Sequence, residues 1–108
     1  MANTFKNKHQ SEVGNTLTAI YTAGIGVSAT VIGMTVANIL ESSITANVVV
    51  SSGGNDYYMV KKAVIDPGNS LIVIGGDQKL VLEANDVISV STSDIDAADV
   101  IVSLLEIT

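Results

Sequence analysis

A chain of 108 residues, 47% of them apolar, has the size of one domain and enough side chains to close one hydrophobic core. It has no cysteine, which excludes a disulfide framework and a thiolate metal site. A formal charge of −6, with five cationic side chains in all, speaks against electrostatic binding to nucleic acid or to an anionic membrane surface.

Residues 1–11 are polar and Asn-rich, and after Met1 they hold one large apolar residue, Phe5. Without an apolar period to bury, they are expected as a flexible N-terminal arm preceding a domain at 12–108. Phe5, Lys6 and Lys8 are the arm's candidate interaction residues, suited to ordering against an acidic or apolar groove on a neighbour.

No charged residue occurs from Val13 to Leu40, a run long enough to cross a membrane as a helix. Yet Thr22, Ser28, Thr30, Thr35 and Asn38 interrupt it, no Lys or Arg flanks its C-terminal side, and Gly24, Gly26 and Gly33 weaken a helix. The run is also too long, and begins too late, for a secretory leader. Nine of the twenty residues at 21–40 are Val, Ile or Thr, stiff at χ1 and suited to a pleated strand. The stretch therefore reads as two strands, 16–23 and 28–39, joined by a turn at Gly24-Ile25-Gly26-Val27. In the second, alternation puts Ile32, Met34 and Val36 on one face and Gly33, Thr35 and Ala37 on the other.

Further along, Ile44, Ala46, Val48 and Val50 alternate with Thr45 and Asn47, and Ser51-Ser52-Gly53-Gly54-Asn55-Asp56 reads as a hairpin turn into a strand at 57–65. Asp66-Pro67-Gly68-Asn69 has proline and glycine where a type II turn needs them. Strands at 71–74 and 79–82 flank Gly75-Gly76-Asp77-Gln78, which reads as a second tight hairpin. After Glu83-Ala84-Asn85-Asp86 comes a strand at 87–91, with Ile88 and Val90 on one side. A polar loop at 91–99 leads to a last strand at 100–107, with Val100, Val102 and Leu104 on one face. About eight strands with regular turns predict an all-β fold, a single antiparallel β-sandwich or small barrel.

Little chemistry accompanies this framework. His9, the one histidine, falls in the arm, so no base is placed for a Ser or Thr nucleophile and no catalytic residue is assigned. Asp94, Asp96 and Asp99 have spacing that can share a calcium ion, but they lack the glycine and bidentate glutamate of a helix-loop-helix site and read as a solvated turn. Gly53-Gly54 and Gly75-Gly76 each precede a strand rather than a helix, so neither forms a phosphate cradle. Tyr57 and Tyr58 fall on opposite faces of one strand, one expected in the core or rim and the other exposed, where it is a candidate for stacking on a sugar. No metal or cofactor is expected. The Thr, Ser, Asn and small apolar side chains suggest faces that bury on contact without a large apolar patch in the free monomer.

Two stretches, AIYTAGIGVSATVIGMTVAN at 19–38 and VIDPGNSLIVIGGDQKLVLEANDVISVSTS at 64–93, resemble short virion proteins of tailed bacteriophages, particularly marine ones. The likeness rests on the uncharged Tyr-Thr start, VIG-x-T-VAN, the Pro-Gly-x-Ser turn, Gly-Gly-Asp-Gln-Lys and Leu-Glu-Ala-x-Asp. Where such proteins often have glycine before the last Asp, this chain has Asn85, which tolerates the same left-handed backbone. The resemblance covers about half the chain. It implies an immunoglobulin-like or jelly-roll β-sandwich and a non-enzymatic part of the particle, made in the host cytoplasm. Its partners would be other virion proteins and further copies of itself. Capsid decoration, neck or tail attachment and fibre attachment are all compatible with it, and a host-surface or carbohydrate-binding module is the alternative from another class.

Overall fold

The computed structural model describes residues 3–75 and 78–108, and no helix among them is long and apolar enough to cross a membrane. In chain order its strands are β1 (Asn3–Val13), β2 (Thr18–Thr22), β3 (Ser28–Asn38), β4 (Ile44–Ser52), β5 (Asn55–Ile65), β6 (Ser70–Ile74), β7 (Leu80–Leu82), β8 (Val87–Thr92) and β9 (Ala98–Ile107). They make an antiparallel β-sandwich. Sheet A has the order β1-β9-β3-β6, with β7 also paired to β3, and sheet B the order β2-β8-β4-β5.

The expected alternation supplies the core. Met34 and Val36 of β3 and Val100, Val102 and Leu104 of β9 line the inner face of sheet A, all 1% exposed or less. Ile44, Ala46, Val48, Ile88 and Val90 belong to the same cluster from sheet B. Burying each Val, Ile or Leu contributes about 1.5–3 kcal/mol, enough between them to hold two sheets together without metal or disulfide.

Two of the expected turns are formed as their residues dictate. Gly53 and Gly54 have φ of +60° and +84°, and Ser52 pairs with Asn55 across them, a type I′ hairpin. A Gly54→Val chain must hold a branched side chain in the left-handed region, and is expected to lose about 1–2 kcal/mol, read as a lower melting temperature. In Asp66-Pro67-Gly68-Asn69, Gly68 has φ +77° and Asn69 N–H donates to the Asp66 carbonyl at 3.0 Å. Asn85 does take the left-handed conformation (φ +71°), and its N–H donates to the Ala23 carbonyl at 2.7 Å.

Three arrangements differ from the sequence reading. Residues 3–13, read mostly as an arm, lie as β1 along β9, in one register from Asn3↔Ile107 to Gln10↔Val100 and, past a bulge, at Val13↔Ala98. Asn3 to Glu12 are all exposed, so the ladder joins main chains while the side chains carry no burial pattern to read. Ile32 does not join Met34 and Val36. Between Val31↔Leu104 and Gly33↔Ser103 the register against β9 slips by one residue, and this bulge turns Ile32 out of the core to 37% exposure. Finally, β6 and β7 do not form a hairpin with each other. Both run antiparallel to β3 on the same side of it, β6 against 34–37 and β7 against 29–31, so they act as one interrupted strand. Gly76 and Asp77 of the expected hairpin lie outside the described residues.

Candidate interaction surface

The strand registers place the outward side chains of sheet A in rows. One row crosses Phe5, Leu105, Thr30 and Val81; the next crosses Asn7, Ser103 and Gly33; a third crosses His9, Ile101, Thr35 and Ile72. Directly opposed residues of an antiparallel pair share a face, so these rows lie side by side on the outside of the sandwich. The outer rows carry exposed apolar side chains, Phe5 76%, Val81 64%, Ile101 55% and Ile72 70%, interleaved with Thr30, Thr35 and His9. The middle row is small. Above it opens a shallow groove of about 270 Å³, lined by Phe5, Lys6, Asn7, Ile32, Ser103 and Leu104. Phe5 and Ile32 are the large apolar side chains of that groove, and the row of Ile101 and Ile72 lies one step beyond it.

The outside of sheet B is different. Asn47 Nδ2 donates to Ser91 Oγ at 3.2 Å, Asn47 Oδ1 accepts the Lys62 N–H at 2.9 Å in the bulged strand β5, and Ser51 Oγ donates to Asp56 Oδ1 at 2.6 Å. Thr45 extends this polar surface. The sheet B face is therefore hydroxyl- and amide-rich around Asn47, with Val64 and Tyr58 exposed on its edge strand β5, while sheet A carries its exposed aliphatic and aromatic groups across several strands. The expectation of faces without a large apolar patch does not hold for sheet A. Its outward rows alternate with a buried set on the same strands, so in the sequence the strands read as almost continuously apolar.

Of the candidate interaction residues, Phe5, Lys6 and Lys8 share β1, with Phe5 outward on sheet A. Lys6 Nζ meets Glu106 Oε1 at 2.8 Å, and Glu106 Oε2 accepts the Tyr21 hydroxyl at 2.5 Å, so this carboxylate joins β1, β9 and β2. The Lys6 ammonium and the Tyr21 hydroxyl hold the Glu106 carboxyl below its ordinary range. Burial first, and then Glu106, push the Tyr21 hydroxyl up. The sequence offered no signal for this chain of contacts, whose members are 15 and 85 residues apart.

Tyr57 and Tyr58 lie on β5, at the opposite edge of the sandwich from β1, and are not brought to the arm residues. They pair with Val50 and Val49 and so point to opposite faces. Both are exposed, 57% and 56%, rather than one buried, because β5 is an edge strand. Lys61 Nζ sits 5.1 Å from the centre of the Tyr58 ring. Two rings on opposite faces make no common platform for a sugar.

His9 stands exposed with Nδ1 at 3.3 Å from Asn7 Oδ1. In the acidic loop Asp99 Oδ1 accepts the Glu12 N–H at 3.1 Å, and no three His, Cys, Asp or Glu among the described residues converge to hold a metal ion.

No protein-family model and no curated protein matches the chain. A solved structure from Bacillus endospore appendages, described as a novel family of disulfide-linked pili, is similar at 13% identity over 96% of this chain and 85% of that one, with a TM-score of 0.48. A likeness this slight carries no functional argument.

Proposed function

We propose that this chain is a non-enzymatic structural protein of a tailed-bacteriophage virion, set on the assembled capsid in many copies as a decoration protein. The observation that supports this reading best is the two-sided sandwich. A rigid body whose sheet A face carries exposed apolar ridges, and whose sheet B face carries more hydroxyl and amide groups, is suited to lying against a neighbour with the first and meeting solvent with the second. The sequence resemblance to short phage virion proteins supports the same class. Neck, tail or fibre attachment uses the same body in fewer copies, and the carbohydrate-binding alternative loses ground because Tyr57 and Tyr58 diverge.

Copy number separates these stations. In purified particles of the phage that encodes the chain, quantitative mass spectrometry should find it in a simple ratio to the major capsid protein. A ratio reduced to the order of a single symmetry ring moves it to the neck or tail, and its absence from particles removes the virion reading.

A further inference from the structure

We propose that the outer face of sheet A is a self-association surface through which two copies of this chain pack face to face. The inference concerns the face that the proposed function sets against a neighbour and names that neighbour as a second copy of this chain, whichever station the domain serves.

Three features of the face select a second copy as the occupant. The first is charge. The chain carries −6, yet among the described residues the carboxylates at outward positions of sheet A are confined to one end of the face, where Asp99 lies against the Ser11–Glu12 bulge of β1 and its Oδ1 accepts the Glu12 N–H. Away from that end, two acidic chains can meet on this face without opposing carboxylates, whereas a basic partner would find no row of acidic groups there to pair with.

The second is relief. The rows of Phe5 and Val81 and of Ile101 and Ile72 run on either side of the small row that holds Ser103, and Phe5 and Ile32 line the groove there. In a two-fold pair each residue meets its partner reciprocally, so the surface must carry both the knob and the hole. Here they are adjacent, and turning Ile32 outward through the β3 bulge raises the groove wall opposite Phe5.

The third is size. Four strands about 4.8 Å apart and about 35 Å long give a face of roughly 650 Å² in plan, close to the ~800 Å² each partner contributes to a standard interface.

Sedimentation equilibrium on the full chain, from micromolar to near-millimolar concentration, tests this. The mass should rise from 11.1 kDa toward twice that value. Ile101→Lys and Ile72→Lys, each adding a charge to a ridge, should weaken the dimer at least about thirty-fold. Val64→Lys, a change at a 66%-exposed residue opposite Thr45 on sheet B, should leave it intact. A melting curve establishes that each variant is folded. If neither ridge variant folds, the unmodified chain still reports, because Phe5 is its one phenylalanine and its ring signals must shift with concentration. A monomer throughout, a dimer indifferent to both folded ridge variants, a dimer lost equally in Val64→Lys, or ring signals of Phe5 that stay fixed while the mass doubles overturns the proposal.

Discussion

An Asn38→Ala chain is expected to lose about 3 kcal/mol of stability, the largest single loss outside the apolar core, with a melting temperature lower by about 12 °C or more. Asn38 closes β3 in sheet A and is 4% exposed. Its Nδ2 donates to the carbonyls of Ser42 at 2.8 Å and Ile65 at 2.9 Å, and its Oδ1 accepts the Leu40 N–H at 2.8 Å. Ile65 ends β5 in the other sheet, so one side chain ties the two sheets together and shapes the loop between β3 and β4. Alanine takes the Asn38 side-chain partner away from the Leu40 N–H and from two carbonyls, and the bond to Ile65 is a buried one. Asn38→Asp separates the parts: it keeps the acceptor for Leu40 but faces two carbonyl oxygens with a carboxylate. Its loss should match or exceed that of alanine at neutral pH and shrink in acid as the carboxyl takes up a proton. Thermal melts of both variants decide it. A loss below about 1 kcal/mol for alanine means that the sheets are held by apolar packing alone.

What the sequence revealed and what it hid divide along one physical line. Turns set by local φ demands were legible: Gly53-Gly54, Asp66-Pro67-Gly68-Asn69 and Asn85 each declare their backbone in residue type. So was the inward face of strands covered on one side, as in Ile88 and Val90 or Val100 and Val102. Features set by pairing were hidden. β1 is held by a ladder of main-chain groups that every residue possesses, so Asn-Phe-Lys-Asn-Lys reads equally as an arm. The bulge at Ile32 exists only against the register of β9, and period-two counting within β3 cannot see it. Asn38 was visible as part of a motif, but its partner at Ile65 lies 27 residues away. The apolar outer face of sheet A was hidden for the opposite reason. Val-Ile-Val-Ser-Leu-Leu at 100–105 looks like a strand buried on both sides, and only the absence of a third layer shows that Ile101 and Leu105 face outward.

Glu106 is the second position where one substitution should be felt far along the chain. Glu106→Ala takes away the acceptor of the Tyr21 hydroxyl, a residue 5% exposed, and the partner of Lys6, and should cost about 2 kcal/mol at pH 7. Most of that belongs to Tyr21, because the Lys6 side chain is 44% exposed and a screened pair of this kind is worth under about 1 kcal/mol. Glu106→Gln, which keeps an acceptor and discards the charge, should therefore recover more than half of the loss. The two groups also set opposite ends of the stability profile. The Glu106 carboxyl is held low, so its contribution is complete above the ordinary carboxylate value near ~4.3 and is lost as pH falls through the lower folded value. The Tyr21 hydroxyl is pushed up, so its contribution is complete below about 10 and is lost as pH rises beyond it. Melting temperature against pH should show a plateau between these limits, with an acid shoulder that Glu106→Ala flattens. The strand that depends on this carboxylate is β1, whose exposed side chains give it little packing to fall back on. Amide protection factors along 3–12, measured against the intrinsic exchange rate at each pH, should fall in Glu106→Ala and, in the unaltered chain, at acid pH, ahead of β3 and β9. Equal exchange in the two chains assigns the hold on β1 to its main-chain ladder, and the Lys6–Glu106 pair then contributes nothing to it.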